Sequence, residues 1–415
     1  MPPPIAHCST DSASPAPDPA VPSTTPAGVL ADLAAALDRR RAGTRWRARR
    51  TLEGPQGPRV TIDGRAVLSF ASNDYLGLAN DPAVVAAAHD GLDRYGAGAG
   101  ASHLLGGHAR AHEALEAALA AFVDPCDGAR ALTFSSGYLA NLAIVTALCG
   151  RHDAVFADRL NHACLNDGAL LSRAAFVRYP HGDVAALAER LAASSAARKL
   201  IVTDGVFSMD GDVAPLAALL ALAERHDALL VVDDAHGFGV LGDGRGSLAD
   251  AGLSSPRVVV MGTLGKAAGV AGAFVCGHPG VIETLVQSAR SYVYTTAAPA
   301  SLAVALLEAL EAIRGRAPLR AALHERIAQF RAGAAGLPWR LLPSRTAIQP
   351  LVVGDDADAM ALSAALWKRG LWAPAIRPPT VPAGTARLRI SLSAAHAAAD
   401  VDALLAALRD EARLR

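Results

Sequence analysis

The chain has 415 residues, 39 basic side chains against 39 acidic ones, and a hydrophobic fraction of 52%. That length and apolar content suffice for a sizeable buried core and exclude whole-chain disorder, which needs low hydrophobicity and high net charge. The lack of excess Lys and Arg excludes a general nucleic-acid binder, and no apolar run is long enough to span a membrane. The five cysteines (Cys8, Cys126, Cys149, Cys164, Cys276) are odd in number and widely spaced, with no Cys-x-x-Cys pair. This argues against a disulfide framework and a zinc site and predicts a reducing, cytoplasmic compartment.

Residues 1–28 are rich in Pro, Ser, Thr and Ala, and without an apolar h-region they read as a disordered tail. From Gly28 to about Arg50, Val29, Leu30, Leu33 and Leu37 predict an amphipathic helix. It ends in a basic cluster: Arg39, Arg40, Arg41, Arg45, Arg47, Arg49 and Arg50. Most of these arginines read as a solvated face, with one or two reaching an anionic substrate.

Between residues 60 and 290 short apolar runs alternate with helical patterns. Strands are predicted at Val67–Phe70, Ala131–Phe134, Ala154–Phe156, Lys199–Thr203, Ala228–Val232, Arg257–Met261 and Gly272–Cys276. Helices are predicted at 82–94, 110–122, 138–149, 162–171, 184–193, 214–226 and 280–290. Such alternation predicts βαβ units and a mostly parallel sheet flanked by helices. Beyond residue 300 the pattern changes: helices at 301–314, 320–335, 357–369 and 398–412, with strands near 347–353 and 387–393, predict a smaller α+β domain. The expected organisation is a tail (1–28), an N-terminal helical segment (29–60), a large α/β domain (61–295) and a small C-terminal α+β domain (296–415).

Three motifs follow predicted strands. Ser135-Ser136-Gly137-Tyr138 joins a strand to a helix N-terminus, where free N–H groups and the helix dipole suit an anion. Asp233-Asp234-Ala235-His236 follows the strand through Leu229–Val232, at the strand end where α/β sheets place ligands. A metal there lacks other clustered ligands. In Met261-Gly262-Thr263-Leu264-Gly265-Lys266-Ala267-Ala268-Gly269, Lys266 is a lone cation among small and apolar residues, and partial desolvation would make it a nucleophilic amine. Alone, the first two motifs also read as capped helices, and Lys266 reads as a lysine reaching solvent. Together they suit pyridoxal phosphate, which needs an amine, a carboxylate on its ring nitrogen and a phosphate cradle. Gly96–Gly100 follows a helix and no strand, so a dinucleotide fingerprint is not supported.

At this point the chain, from about residue 30 to 412, resembles the α-oxoamine synthases. These are fold-type I pyridoxal-phosphate enzymes that join an amino acid to an acyl thioester with loss of carbon dioxide. The resemblance rests on Ser72–Leu78, Ala157–Ala163, Thr203–Asp212, Val232–Gly237, the Lys266 segment, and Ala375–Arg389 with Ala394–His396. It implies the branch that uses L-alanine and pimeloyl-CoA or pimeloyl-ACP, with glycine C-acetyltransferase as the rival. A partner subunit without catalysis is disfavoured, since Lys266 and Asp233 are both present.

By that resemblance Lys266 carries the cofactor and moves the Cα proton, Asp233 holds the pyridinium nitrogen, and His162 stacks on the ring. Ser208 and His236 bond the cofactor, while Gly137, Tyr138 and Thr263 contact its phosphate. Thr295 and Thr296 reach the phosphate of a neighbouring subunit, which implies a homodimer with a shared active site. Arg47, with Arg49 and Arg50 as register alternatives, and Asn73, Arg377 and Thr380 are the expected substrate contacts, with Arg377 placed to clamp a carboxylate. No metal, nucleic acid or membrane is expected.

Overall fold

Leu229–Val232 and Val258–Val260 carry aliphatic side chains at every position, the composition of strands covered on both faces. In the computed structural model, which describes residues 28–42 and 46–414, they form the middle of a seven-stranded sheet. Its strands are β1 (Arg130–Phe134), β2 (Ala154–Asp158), β3 (Ala175–Tyr179), β4 (Lys199–Asp204), β5 (Ala228–Asp233), β6 (Val258–Thr263) and β7 (Ala273–Gly277). They are ordered β1-β7-β6-β5-β4-β2-β3. β7 runs antiparallel to β1 and β6, and the other pairings are parallel. Alternation along β5 divides two cores: Leu230 and Val232 enter one, and Val231 between them enters the other.

Contacts divide the chain into two units, one ending at Arg49 and one beginning at Arg50. In the first, the helix spans Val29–Ala42 and buries no residue, so the expected helix to Arg50 stops early. The Arg41 guanidinium lies over the Trp46 ring at 4.6 Å. The expected tail up to residue 27, Cys8 and Arg45 lie outside the described residues.

In the second unit, the strand expected at Val67–Phe70 forms as Arg65–Ser69 but joins a separate four-stranded sheet with Leu52–Glu53, Arg59–Ile62 and Leu371–Trp372. A third sheet pairs Arg340–Leu341, Ile348–Gly354, Ala386–Ser391 and Ala375–Ile376, all antiparallel. Helix Ala300–Gly315 packs on helices Pro82–Tyr95 and Arg110–Val123. The last strand also staples an early segment: Ser391 N–H donates to Phe70 O and Ala394 N–H to Tyr75 O, each at 2.8 Å. Among the described residues, no helix is long and apolar enough to cross a membrane.

Candidate active site

The carboxyl ends of the parallel strands converge on a cavity of about 190 Å³. Its walls include Gly137, Tyr138, His162, Ser208, Asp233, His236, Thr263 and Lys266, all expected from the sequence, with Cys164 and Asp204 in addition. β5 ends on Asp233, β6 on Thr263 and β4 on Asp204, and the helix Gly137–Leu148 starts just beyond β1. Ser136 caps that helix by accepting from Leu139 N–H at 3.3 Å. The N–H groups of Gly137 and Tyr138 belong to the first turn, which has no helical carbonyl ahead of it.

Lys266 is held by a hydrogen-bond chain. Its Nζ lies 3.0 Å from His236 Nε2, and His236 Nδ1 lies 2.6 Å from the Tyr75 hydroxyl. Tyr75 donates to Asn73 Oδ1 at 3.1 Å, which also accepts from Arg389 Nη1 at 3.2 Å. One proton arrangement satisfies every member: the ammonium or amine donates to Nε2, and Nδ1–H donates to the tyrosine oxygen. Burial pushes the Lys266 amine down to about 8, and the neighbouring Asp233 carboxylate opposes that shift. Burial also holds His236 neutral, its pKa well below the ordinary value, with Lys266 adding to the effect.

Asp233 is 5% exposed. Its Oδ1 accepts from Ala235 N–H at 3.1 Å and its Oδ2 from Asn141 Nδ2 at 2.7 Å. The same Asn141 nitrogen lies 3.0 Å from Cys164 Sγ, which in turn lies 2.8 Å from His162 Nδ1. His162 also caps the helix Ala163–Ser172 through Cys164 N–H. His162 thus both caps this helix and stands on the cavity wall. Asp204 accepts from His162 N–H at 3.0 Å, and burial, then Asp233, drives its pKa well above the ordinary carboxylate range. Asp234 turns away from the cavity into a glycine turn, where it accepts from Ser247 N–H at 2.7 Å and burial raises it to about 7.

The expected substrate contacts divide. Asn73 stands in the chain above, next to Arg389. Arg377 directs Nη1 at Met360 Sδ, and Thr380 N–H donates to Arg377 O; neither residue lines this cavity. Arg47 lies in the first unit and is described only there. Thr296 pairs with Ser102 and lines a second cavity with His103 and His112, while Thr295 lies beside it, half-buried. Arg389, Tyr75, Asn141 and Asp204 were not singled out from the sequence. Arg389 alternates with Arg387 and Ser391 along one strand, a period-two signal for one polar face, and all three are buried.

The residues present fit pyridoxal phosphate. An amine, a buried carboxylate, first-turn N–H groups and an imidazole face one cavity, the donor set that an aldehyde, a pyridine nitrogen, a phosphate and a ring need.

Comparison with known proteins agrees. The profile of the family Aminotransferase class I and II matches residues 65–408. A protein of Nitrosomonas eutropha named 8-amino-7-oxononanoate synthase is 59% identical over 92% of this chain and 99% of its own length. The solved 8-amino-7-oxononanoate synthase of Francisella tularensis superposes with a TM-score of 0.72 at 30% identity, over 84% of this chain and 98% of that one. A serine palmitoyltransferase from S. paucimobilis, solved with bound PLP and myriocin, gives a TM-score of 0.87 at 30% identity, over 94% of this chain and 99% of that one. On this match across nearly its whole length, the chain belongs to the 8-amino-7-oxononanoate synthases, within the class I and II aminotransferase family.

Proposed function

We propose that this chain condenses L-alanine with a pimeloyl thioester, carried on CoA or an acyl carrier protein, in biotin biosynthesis. The α-carbon of alanine forms a bond to the acyl carbon, the thiol leaves, carbon dioxide is lost, and 8-amino-7-oxononanoate results. The observation that carries the reading is the placement of Lys266, Asp233 and His162 on one cavity wall beside the Gly137 helix start, in a chain of this family.

Pyridoxal phosphate, when bound, supplies an aldehyde for the amines to exchange on and a ring that takes up negative charge from the α-carbon. Lys266 Nζ would hold the cofactor and, as a free amine, could take the α-proton; its lowered pKa leaves a large free-amine fraction near pH 8. Asp233 keeps a proton on the ring nitrogen, and the donors Ala235 N–H and Asn141 fix its direction. His162 covers one ring face. Gly137 and Tyr138 N–H with Thr263 take the phosphate, and Ser208 and His236 complete the wall. Arg389, whose Nε donates to Ser208 O at 2.6 Å and whose Nη1 donates to Asn73 Oδ1 and Ser391 Oγ, offers its Nη2 to the amino-acid carboxylate. Arg47, Arg377 and Thr380 are assigned to the acyl chain and its far carboxylate.

We further assign a homodimer, in which Thr295 and Thr296 serve the partner's phosphate. Leu104, Leu105, Leu170, Leu171 and Tyr294 support it, because each is at least half exposed. The helices and turn that carry or adjoin them touch in series through the helix Gly137–Leu148. The large domain is assigned to 61–295 and the small one to 296–415, and the four free cysteines among the described residues, all buried, support a reducing cytoplasm. The test is a competition read by mass spectrometry: protein with pyridoxal phosphate receives glycine, alanine and serine together with pimeloyl-, acetyl-, succinyl- and palmitoyl-CoA. A dominant 8-amino-7-oxononanoate mass is expected; a dominant aminoketobutyrate mass would move the chain to the glycine C-acetyltransferase branch.

A further inference from the structure

The sequence leaves Asp233 without clustered metal ligands, but the fold supplies two. His162 and Cys164 come from the start of the helix after β2 and reach the end of β5. One ligand atom from each of His162, Cys164 and Asp233 lies within 4.8 Å of the others. A tetrahedral zinc site has ligand–ligand edges of roughly 3.5 Å, so modest side-chain rotation closes the set. The mix of imidazole, thiolate and carboxylate is that of borderline divalent ions such as Zn²⁺, Co²⁺ and Cd²⁺, and not of Mg²⁺ or Ca²⁺.

A second shell is already built. Asn141 donates at 3.0 Å to Cys164 Sγ and at 2.7 Å to Asp233 Oδ2, so one amide orients two ligands. Ala235 N–H fixes the other carboxylate oxygen at 3.1 Å. The Cys164 sulfur lies 2.8 Å from His162 Nδ1, which places the thiol proton between two prospective ligands. All three residues line the cavity, which is large enough for water. A cluster of three histidines elsewhere (His103, His108, His112) is less suited. There His112 Nδ1 accepts from Ala109 N–H at 3.0 Å and its Nε2 meets Ala298 O at 2.8 Å, so both its nitrogens are engaged by backbone.

We propose that the cofactor-free protein captures one thiophilic divalent cation on His162, Cys164 and Asp233, and that this capture and pyridoxal-phosphate loading exclude each other. The cation replaces the Cys164 thiol proton, which leaves to solvent; a sulfur–metal bond forms, the S–H bond breaks, and nothing is oxidised or reduced. The exclusion rests on the cofactor reading above, because the same three residues would then face the ring. The capture does not rest on it.

Co²⁺ reports the site directly, through a thiolate-to-cobalt charge-transfer band. Titration of cofactor-free protein is expected to give this band with an end point near one equivalent, and C164S to abolish it while the other cysteines remain. H162N is expected to weaken Co²⁺ binding at least tenfold, which keeps the test decisive if C164S fails to fold by circular dichroism. Saturating Zn²⁺ should slow the appearance of the bound-cofactor absorbance at least tenfold, and a chelator should restore it. No band in the parent protein, an unchanged band in C164S, or unchanged affinity in H162N would overturn the capture. Equal cobalt binding by cofactor-loaded protein would overturn the exclusion. Cobalt binding by a protein that takes up no pyridoxal phosphate would sink the cofactor reading and leave the metal site standing.

Discussion

Lys266 Nζ sits 3.0 Å from His236 Nε2, and the ring it meets is neutral. A neutral imidazole accepts from the amine without adding a second positive charge to the wall. Its other nitrogen is spoken for by Tyr75, so the ring cannot swing to another tautomer without breaking the chain to Asn73.

The amine therefore titrates early. With Lys266 at about 8, against an ordinary value of 10.5, its free form dominates above about pH 8 and is lost as pH falls below it. The rate of cofactor attachment to cofactor-free protein should rise roughly tenfold per pH unit below that point and level above it. Stopped-flow absorbance checks this; a rate still climbing tenfold per unit at pH 10 would contradict it. Lys266→Ala should show no lysine-bound cofactor band at any pH and no turnover.

Asp233→Asn keeps the shape but removes the charge that the proposed function sets behind the ring nitrogen. Cofactor should remain bound, with turnover falling roughly 10²–10³-fold, the usual cost of removing one preorganised electrostatic partner. Steady-state rates beside the cofactor absorbance separate the two effects, and a variant with near-parent turnover would refute the role.

Arg389→Lys keeps a charge and loses the fork. If the guanidinium receives the alanine carboxylate, KM for alanine should rise by about 2 kcal/mol, roughly thirtyfold, while KM for the thioester changes little. An unchanged alanine KM would move the carboxylate contact elsewhere, with Arg377→Lys the next variant to test.

His181 sits between two carboxylates, 3.0 Å from Asp158 and 2.9 Å from Asp212. Hydrogen bonds to both raise it from 6.5 to about 10. Its charged form is favoured by the fold, so this stabilisation is complete below about pH 6.5 and is lost as pH rises through about 10. His181→Asn should cost on the order of 2 kcal/mol at neutral pH. Urea midpoints of parent and variant should converge toward pH 10.5; a constant gap would show that the charge plays no part.

Much of this was legible in the sequence because strands covered on both faces are predominantly apolar. Six of the seven central strands stood out for that reason. β3 did not: Arg178 interrupts its apolar run, and only Tyr179 of its five residues is buried. Lys266 and Asp233 were readable because each follows such a strand. Asn141 was not, since its value lies in contacts with Cys164 and Asp233, 23 and 92 residues away. Arg377 and Arg389 share one segment, and only tertiary packing shows that the second is buried beside Asn73 while the first meets Met360.

Asn73 and Arg389, bonded in the folded protein, are separated by 316 residues of chain. During synthesis Lys266 and Asp233 emerge well before Arg389. The carbonyls of Phe70 and Tyr75 meanwhile await the N–H groups of Ser391 and Ala394. A ribosome that stops short of the last strand thus releases a chain that holds Lys266 and Asp233 but leaves those two carbonyls and Asn73 without the partners that close the fold around them.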